Sequence, residues 1–512
     1  MRKVKLPDLC IAWIGSRQDF SRPAQGQTCQ RLRIDAAVGG FGDEQADARV
    51  VFHVRGVFAQ SADMDVERRK ILGKGIRHHR QVGFAIMQCT QRGNACRTDE
   101  ASKALFGLCV HAVIIRQAAD YNEQNLRQKQ VMTMDELEKL LSDLVSINSI
   151  NPDLVPGSPG EGEIARYIAN WLEQAGLDVE LIESVSGRPN VVGIARGTGG
   201  GKTLLLNGHM DTVGVAGMPD GHTPRIDREA GRMYGRGSYD MKGGLAACML
   251  AAVEAGKQNL RGDVIFTGVI DEEYASLGTF DLAKRFHADG AIVAEFTELQ
   301  LILAHRGFVW LEIETIGKAA HGSRPDLGLD AIVKMGKVLV ELEKLDQELR
   351  SHPTHPLLGS GSLHASLIQG GQELSSYPER CLLSAERRTL PGERPESVES
   401  EFLQILENVR QMDPSFQAVL RRGIDRAPLE TRDDENIVQA IQAASAKILN
   451  RPSPVAGVQF WTDAAVLSAN GIPSVLFGPS GSGAHAVEEW VDLASVKTCA
   501  EIYLGTAIEF CR

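Results

Sequence analysis

Five stretches of the 512-residue chain place acids and histidines where an apolar run gives way to a turn. His209 and Asp211 follow the buried-type run 203–206. Asp271-Glu-Glu follows the run 263–270, and Glu295, with Glu298 as a rival, follows 291–294. Asp240 lies in the glycine-rich turn 235–244 just before a helical stretch, and His485 lies in Gly483-Ala-His. In open α/β sheets, binding sites form beyond the carboxyl ends of the strands, so groups at several strand ends converge although remote in sequence. Carboxylates gathered in this way raise each other's pKa unless something compensates them, and metal ions do so. Histidine and carboxylate ligands without cysteine suit zinc, and a shared carboxylate suits two ions about 3.5–4 Å apart. Taken singly, each stretch has a plainer reading, such as a hydrogen-bonded loop or a solvated acidic turn. Their coincidence at five positions points to metal.

The elements that must position these groups follow from periodicity. An acidic first turn and helical spacing from Asp135 predict an opening helix, and 162–175 predicts a second. Strands are expected at 178–182, 190–195, 203–206, 263–270 and 291–294, with helices at 242–256 and 279–286. This alternation implies an α/β layer around a mostly parallel sheet. From about Gly307 the order becomes strand 308–316, helix 329–349, strand 362–369, strand 380–389, helix 395–411 and strand 416–421. That is the split β-α-β-β-α-β of a ferredoxin-like domain. A helix at 435–449, a strand at 474–477 and a helix at 494–509 then resume the first layer. The expected division is 1–131 an N-terminal extension, 132–304 the first part of a catalytic domain, 305–422 an inserted domain, and 423–512 the second part of the catalytic domain.

Composition excludes several classes. With 43% hydrophobic and 24% charged residues the chain is globular, and no apolar run approaches the roughly 18 residues of a membrane span. Nine cysteines without a Cys-x-x-Cys pair fit a reduced, cytoplasmic protein. Residues 1–131 hold 21 Lys and Arg against 13 Asp and Glu, whereas the rest holds 34 against 53. These early charges are scattered and not gathered on a stripe, so neither a nucleic-acid nor a membrane partner is expected. The extension is instead expected to be a non-native start or a disordered segment, with the native chain opening at Met132 or Met134. Gly197-Thr-Gly-Gly-Gly-Lys-Thr fails as a phosphate loop because Arg196 replaces the first glycine and a strand follows it. No Gly-x-Ser-x-Gly elbow and no His-Glu-x-x-His helix occurs.

Six motifs from about Met134 to the C-terminus resemble, in order, those of the two-zinc aminoacylases, acetylornithine deacetylases, succinyl-diaminopimelate desuccinylases and carboxypeptidases. They are Gly208-His-Met-Asp-Thr-Val, Gly237-Ser-Tyr-Asp-Met-Lys-Gly-Gly, Asp271-Glu-Glu, Ala294-Glu-Phe-Thr, Ala320-His-Gly-Ser-Arg-Pro and Gly483-Ala-His-Ala-Val-Glu-Glu. The resemblance implies an amidohydrolase of N-acyl amino acids, or alternatively a dipeptidase or carboxypeptidase. A non-enzymatic metal-binding protein is disfavoured because a base is present. Asp240 would bridge two divalent ions, zinc or cobalt, with His209 and Glu295 on one and Glu273 and His485 on the other. Asp211 would orient His209, and Glu272 would be the general base. The inserted domain would be a lid and homodimerisation domain, where His321 donates to the oxyanion and Arg387 or Arg388 grips a substrate carboxylate. At Ser375 the chain departs from the asparagine that many members carry, which bears on the acyl group accepted.

Overall fold

The computed structural model describes residues 133–512. Ahead of them it describes three strands, β1 (Arg2–Lys5), β2 (Arg33–Val38) and β3 (Val50–Arg55), which pair antiparallel in that order. The expectations for residues 1–131 as a non-native or disordered start otherwise lie outside the described residues.

The opening helix α1 (Met134–Ser146) begins with a capping box. The Thr133 side chain accepts from the Glu136 N–H, and the Glu136 side chain accepts from the Thr133 N–H. Leu137, Leu140, Leu141 and Leu144 share its inner face and are fully buried, each contributing about 1.5–3 kcal/mol of transfer free energy. Then come α2 (Gly162–Gln174), β4 (Asp178–Val185), β5 (Arg188–Ala195), β6 (Leu204–His209), β7 (Arg225–Asp227) and β8 (Arg232–Tyr234). A tight turn leads into α3 (Gly243–Gly256), followed by β9 (Val264–Val269), α4 (Leu277–Arg285), β10 (Gly290–Val293) and β11 (Leu301–His305). The next block is β12 (Gly307–Ile316), α5 (Ala331–Ser351), β13 (Ser362–Gly370), β14 (Arg380–Thr389), α6 (Pro395–Met412) and β15 (Gln417–Arg426). The chain closes with β16 (Leu429–Glu430), α7 (Asn436–Ile448), β17 (Val455–Val458), α8 (Ala464–Ala469), β18 (Ser474–Leu476), β19 (Gly481–Ser482), β20 (Trp490–Asp492) and α9 (Leu493–Phe510).

The central sheet has the order β16-β11-β18-β10-β6-β9-β5-β4, with β17 also paired to β11. Its middle strands β18, β10, β6 and β9 run parallel, and β5 and β4 continue it antiparallel. The parallel strands are buried along their length, which is why their sequences read as mainly apolar runs. Leu204 and Leu206 join the core formed with α3 and α9, whereas Leu205 joins the core formed with α8.

Residues 307–426 build a separate antiparallel sheet, ordered β13-β14-β12-β15. Met335, Val338 and Leu342 of α5 and Phe402, Ile405 and Val409 of α6 pack into its core. This is the ferredoxin-like order expected. Two differences from the expectation matter for the site. β6 runs on to His209, so this histidine ends a strand and does not sit in a loop. In addition, a small sheet ordered β19-β20-β8-β7 clips residues 481–492 to residues 225–234. Its two- and three-residue strands leave no periodic signal. Among the described residues, no helix is long and apolar enough to cross a membrane.

Candidate active site

Three parallel strands deliver the acids and a histidine to one end of the sheet. His209 ends β6, and its Nε2 stands 3.1 Å from Asp240 Oδ1, 3.8 Å from Glu295 Oε1 and 4.0 Å from Glu272 Oε2. The other oxygen of Asp240, Oδ2, faces His485 Nε2 at 3.2 Å, and the same nitrogen is 2.9 Å from Glu273 Oε2. Ligand atoms of His209, Asp240 and Glu273 lie within 4.8 Å of one another, as do those of His209, Glu272 and Glu295. The rival Glu298 points elsewhere, accepting from the Tyr239 hydroxyl at 2.7 Å and from the Gly481 N–H at 3.2 Å.

Asp211 behaves differently from the expectation. His209 Nδ1 is 2.9 Å from the carbonyl oxygen of Asp211 but 3.6 Å from its carboxylate, too far for a hydrogen bond. The carboxylate instead accepts from Asn151 Nδ2 and from the backbone N–H groups of Glu272 and Glu273. Asp211 therefore ties the acidic turn after β9 to the end of β6, and its charge acts on the imidazole through space. Asp271 turns away from the cluster, with φ 68°, to meet Asn151 and Arg188. Arg188 also grips Glu161 through two nitrogens at 2.6 and 2.7 Å, a bidentate pair that holds the back of this turn. Asn151, Glu161 and Arg188 escaped the sequence reading because no motif marks them.

The Asp240 turn is held from several sides. Lys242 is fully buried and donates to the carbonyls of Leu144 and Ile147 at the end of α1, while burial lowers its pKa to about 7. Gly244 lets α3 approach the strand that carries Glu295, since a Cβ there would collide with the carbonyl oxygen of Ala294. Glu489 also meets this turn, through the N–H groups of Gly237, Tyr239 and Asp240. Its only sequence signal was the second glutamate of the His485 motif. Beside the His485 loop opens a cleft of about 660 Å³ lined by Met218, Arg225, Tyr234, Val487 and Glu488.

The electrostatics show how strongly the acids act on one another. Burial, reinforced by neighbouring carboxylates, pushes Glu295 up to about 8 and Glu273 to about 7, and raises Glu272 well above the usual range. Buried Asp463, which accepts from the Thr279 hydroxyl, rises to about 6. Burial alone would lower His209, but the carboxylates around it outweigh burial and raise it. Hydrogen bonds to Asp240 and Glu273 push His485 up to about 10. Protons and the two histidines can compensate these acids, a task divalent cations perform better. The donor set is imidazole nitrogen and carboxylate oxygen, with no sulfur, and it fits such ions.

The residues expected from the inserted domain are not gathered into this cluster. His321 is exposed, with Nδ1 2.8 Å from Ser323 Oγ, and Ser375 is exposed beside Glu373. Arg387 is fully buried, with its donors committed to Glu393, Glu401 and the carbonyl of Arg388. No face of it is left for a substrate. Arg388 remains partly open, bonded to Glu386 and lying over the Phe308 ring.

A buried acid and histidine cluster at strand ends, able to hold metal and with a further carboxylate at hand, defines a metal-dependent hydrolase. The chain belongs to peptidase family M20/M25/M40, whose sequence profile matches residues 205–509. It is 30% identical over 426 residues to N-formyl-4-amino-5-aminomethyl-2-methylpyrimidine deformylase of Bacillus subtilis, covering 77% of this chain and 98% of that protein. It is likewise 30% identical to acetylornithine deacetylase of Myxococcus xanthus, covering 74% and 98%. The fold matches that of a dinuclear metal-binding M20 peptidase of Bacillus subtilis, with a TM-score of 0.58, 15% identity, and coverage of 73% and 97%. The resemblance read from the six motifs and the fold class read from periodicity are both borne out.

Proposed function

We propose that this chain is a deacylase that hydrolyses the amide bond of a small N-acylated amino acid. Its centre holds two divalent ions, zinc or, in its place, cobalt. The observation that carries the reading is the Asp240 carboxylate, whose two oxygens face two different histidines at 3.1 and 3.2 Å. Asp240 would be shared, His209 and Glu295 would hold one ion, and Glu273 and His485 the other. Bound there, the ions would polarise the amide carbonyl and lower the pKa of a water toward about 7.

Glu272 takes a proton from the attacking water as the C–O bond forms, and returns it to the nitrogen as the C–N bond breaks. The products are a carboxylate and an amine, and no covalent enzyme intermediate is needed. Asp211 serves this step by fixing the backbone of Glu272. Arg388 and the exposed Ser375 are the substrate-binding candidates that keep an accessible surface. The deacetylase and deformylase relatives both remove an acyl group from an amine, which favours deacylation over peptide cleavage. The test is a panel of N-acetyl, N-formyl and N-succinyl amino acids alongside dipeptides, assayed with added zinc or cobalt. Turnover is expected on an N-acyl amino acid, and exclusive turnover of dipeptides would replace this reading by the peptidase one.

The inserted domain acts as a lid and as the contact between two copies. Its edge strand β13 leaves Leu367 and Ile368 72% and 55% exposed, an apolar edge that a second copy would cover. His321 reaches the substrate by lid closure or from the partner subunit, donating where negative charge develops on the carbonyl oxygen. Such a donor is commonly worth about 3–4 kcal/mol. His321→Ala is expected to bind metal normally, to lower kcat about a hundredfold or more, and to leave KM little changed. Mixing it with Glu272→Gln should restore some activity if the site is shared between subunits, whereas a fully active His321→Ala removes the role altogether. The enzyme acts in the cytoplasm, a reading supported by the free, buried Cys248, Cys381, Cys499 and Cys511.

A further inference from the structure

The His485 ring is half exposed, its backbone sits at φ 61°, and the acids Asp240 and Glu273 are the partners of its Nε2. Its position therefore depends on the loop that carries it. That loop is joined to the Asp240 turn by one buried ion pair. Glu489, four residues beyond His485 and 1% exposed, uses Oε1 to accept from the N–H groups of Tyr239 at 2.9 Å and Asp240 at 3.1 Å. Its Oε2 accepts from the Gly237 N–H at 3.0 Å and from Arg236 Nη1 at 2.7 Å. Four donors meet one carboxylate, which fills its acceptor positions. Arg236, 2% exposed, completes the link from the other side, donating through Nη2 to the carbonyl of Ala486 at 2.8 Å and through Nε to the carbonyl of Gly214 at 3.2 Å. The strands β8 and β20 that flank the pair are themselves hydrogen-bonded. At the base of the loop, Gly483 has φ 89°, and a Cβ there would collide with the carbonyl of Glu488.

We propose that Glu489, acting with Arg236, is a positioning residue that locks the Asp240 turn and the His485 loop into one unit and thereby sets the affinity for the ion held by Glu273 and His485. The proposal rests on the reading of the cluster as a two-metal centre. Ligand groups must be held to within about 0.5 Å to bind an ion well, and partners behind the ligands commonly govern 10- to 100-fold in metal affinity. A glutamine at 489 keeps the shape but turns an NH2 toward N–H donors, so one side of the lock opens. His209 and Glu295 hang on β6 and the end of β10, so of the groups holding the first ion only the shared Asp240 belongs to this link. Both Asp240 and His485 of the second ion do, and the first ion is therefore less affected.

The test is a zinc titration of the chelator-stripped full chain, in competition with a chromogenic chelator, with melting temperature recorded on the metal-free proteins. Wild type is expected to bind two ions. Glu489→Gln is expected to bind the second 10- to 100-fold more weakly, with a smaller change for the first. The double variant Arg236→Met/Glu489→Gln leaves no unpaired buried charge, so it keeps the fold testable if the single variant melts early, and it should show the same selective loss. A folded Glu489→Gln or double variant that binds both ions as wild type does overturns the proposal, and so does an equal loss at both sites. A wild-type protein that binds no zinc overturns the two-metal reading itself.

Discussion

Glu272→Gln is expected to retain its metal and lose about 10²–10⁴ of its turnover, roughly 3–5 kcal/mol of barrier. The carboxylate is 11% exposed and 4.0 Å from His209 Nε2, in one group with His209 and Glu295 but outside the Asp240, Glu273 and His485 contacts. A glutamine fills the same volume and leaves undisturbed the N–H that Asp211 accepts. What it cannot do is take a proton from water. The measurement is kcat beside metal content on the same preparation. If the variant lost its metal, or kept most of its activity, the roles of Glu272 and Glu273 would have to be exchanged.

Removal of divalent ions by exhaustive chelation is expected to abolish turnover, and zinc or cobalt to restore it. Elemental analysis of the purified protein should approach two ions per chain. The effect should extend to stability. Without ions the acids rely on protons and on His209 and His485 for compensation. Anything that binds the folded state alone stabilises it by mass action, about 4 kcal/mol at a thousandfold excess over Kd. The melting temperature should therefore rise with added zinc and fall on chelation. Activity that survives complete metal removal would end the mechanism.

Much of this protein was legible in one dimension because two signals are local. Apolar runs such as Leu204-Leu-Leu and the helical spacing of Leu137, Leu140, Leu141 and Leu144 report burial directly. Each element packs one face or both against its neighbours, so the α/β order and the inserted β-α-β-β-α-β block followed from periodicity. The rule that sites form beyond strand ends pointed to His209, the Asp271-Glu-Glu turn and Glu295, with Asp240 and His485 added from turns, and only the resemblance sorted ligands from base. The structure brings His209, Asp240, Glu272, Glu273, Glu295 and His485 together.

What the chain could not reveal is which partner each polar group takes, since that depends on contacts between residues tens to hundreds of positions apart. Arg387 and Arg388 are adjacent and look alike in sequence. On a strand successive side chains face opposite sides, so the first is sealed against Glu393 and Glu401 while the second stays partly open. Asp211 was expected to hold the His209 ring, yet a 0.7 Å difference between its carbonyl and carboxylate distances reassigns the hydrogen bond and frees the carboxylate to bind the Glu272 turn. Glu489 and Arg236, 253 positions apart, meet only because strands of three residues pair in a sheet too short to leave a pattern. Periodicity reports burial along one element. The choice of partner among buried charges belongs to the tertiary structure, because burying a charge without its partner is too costly for the fold to leave to chance.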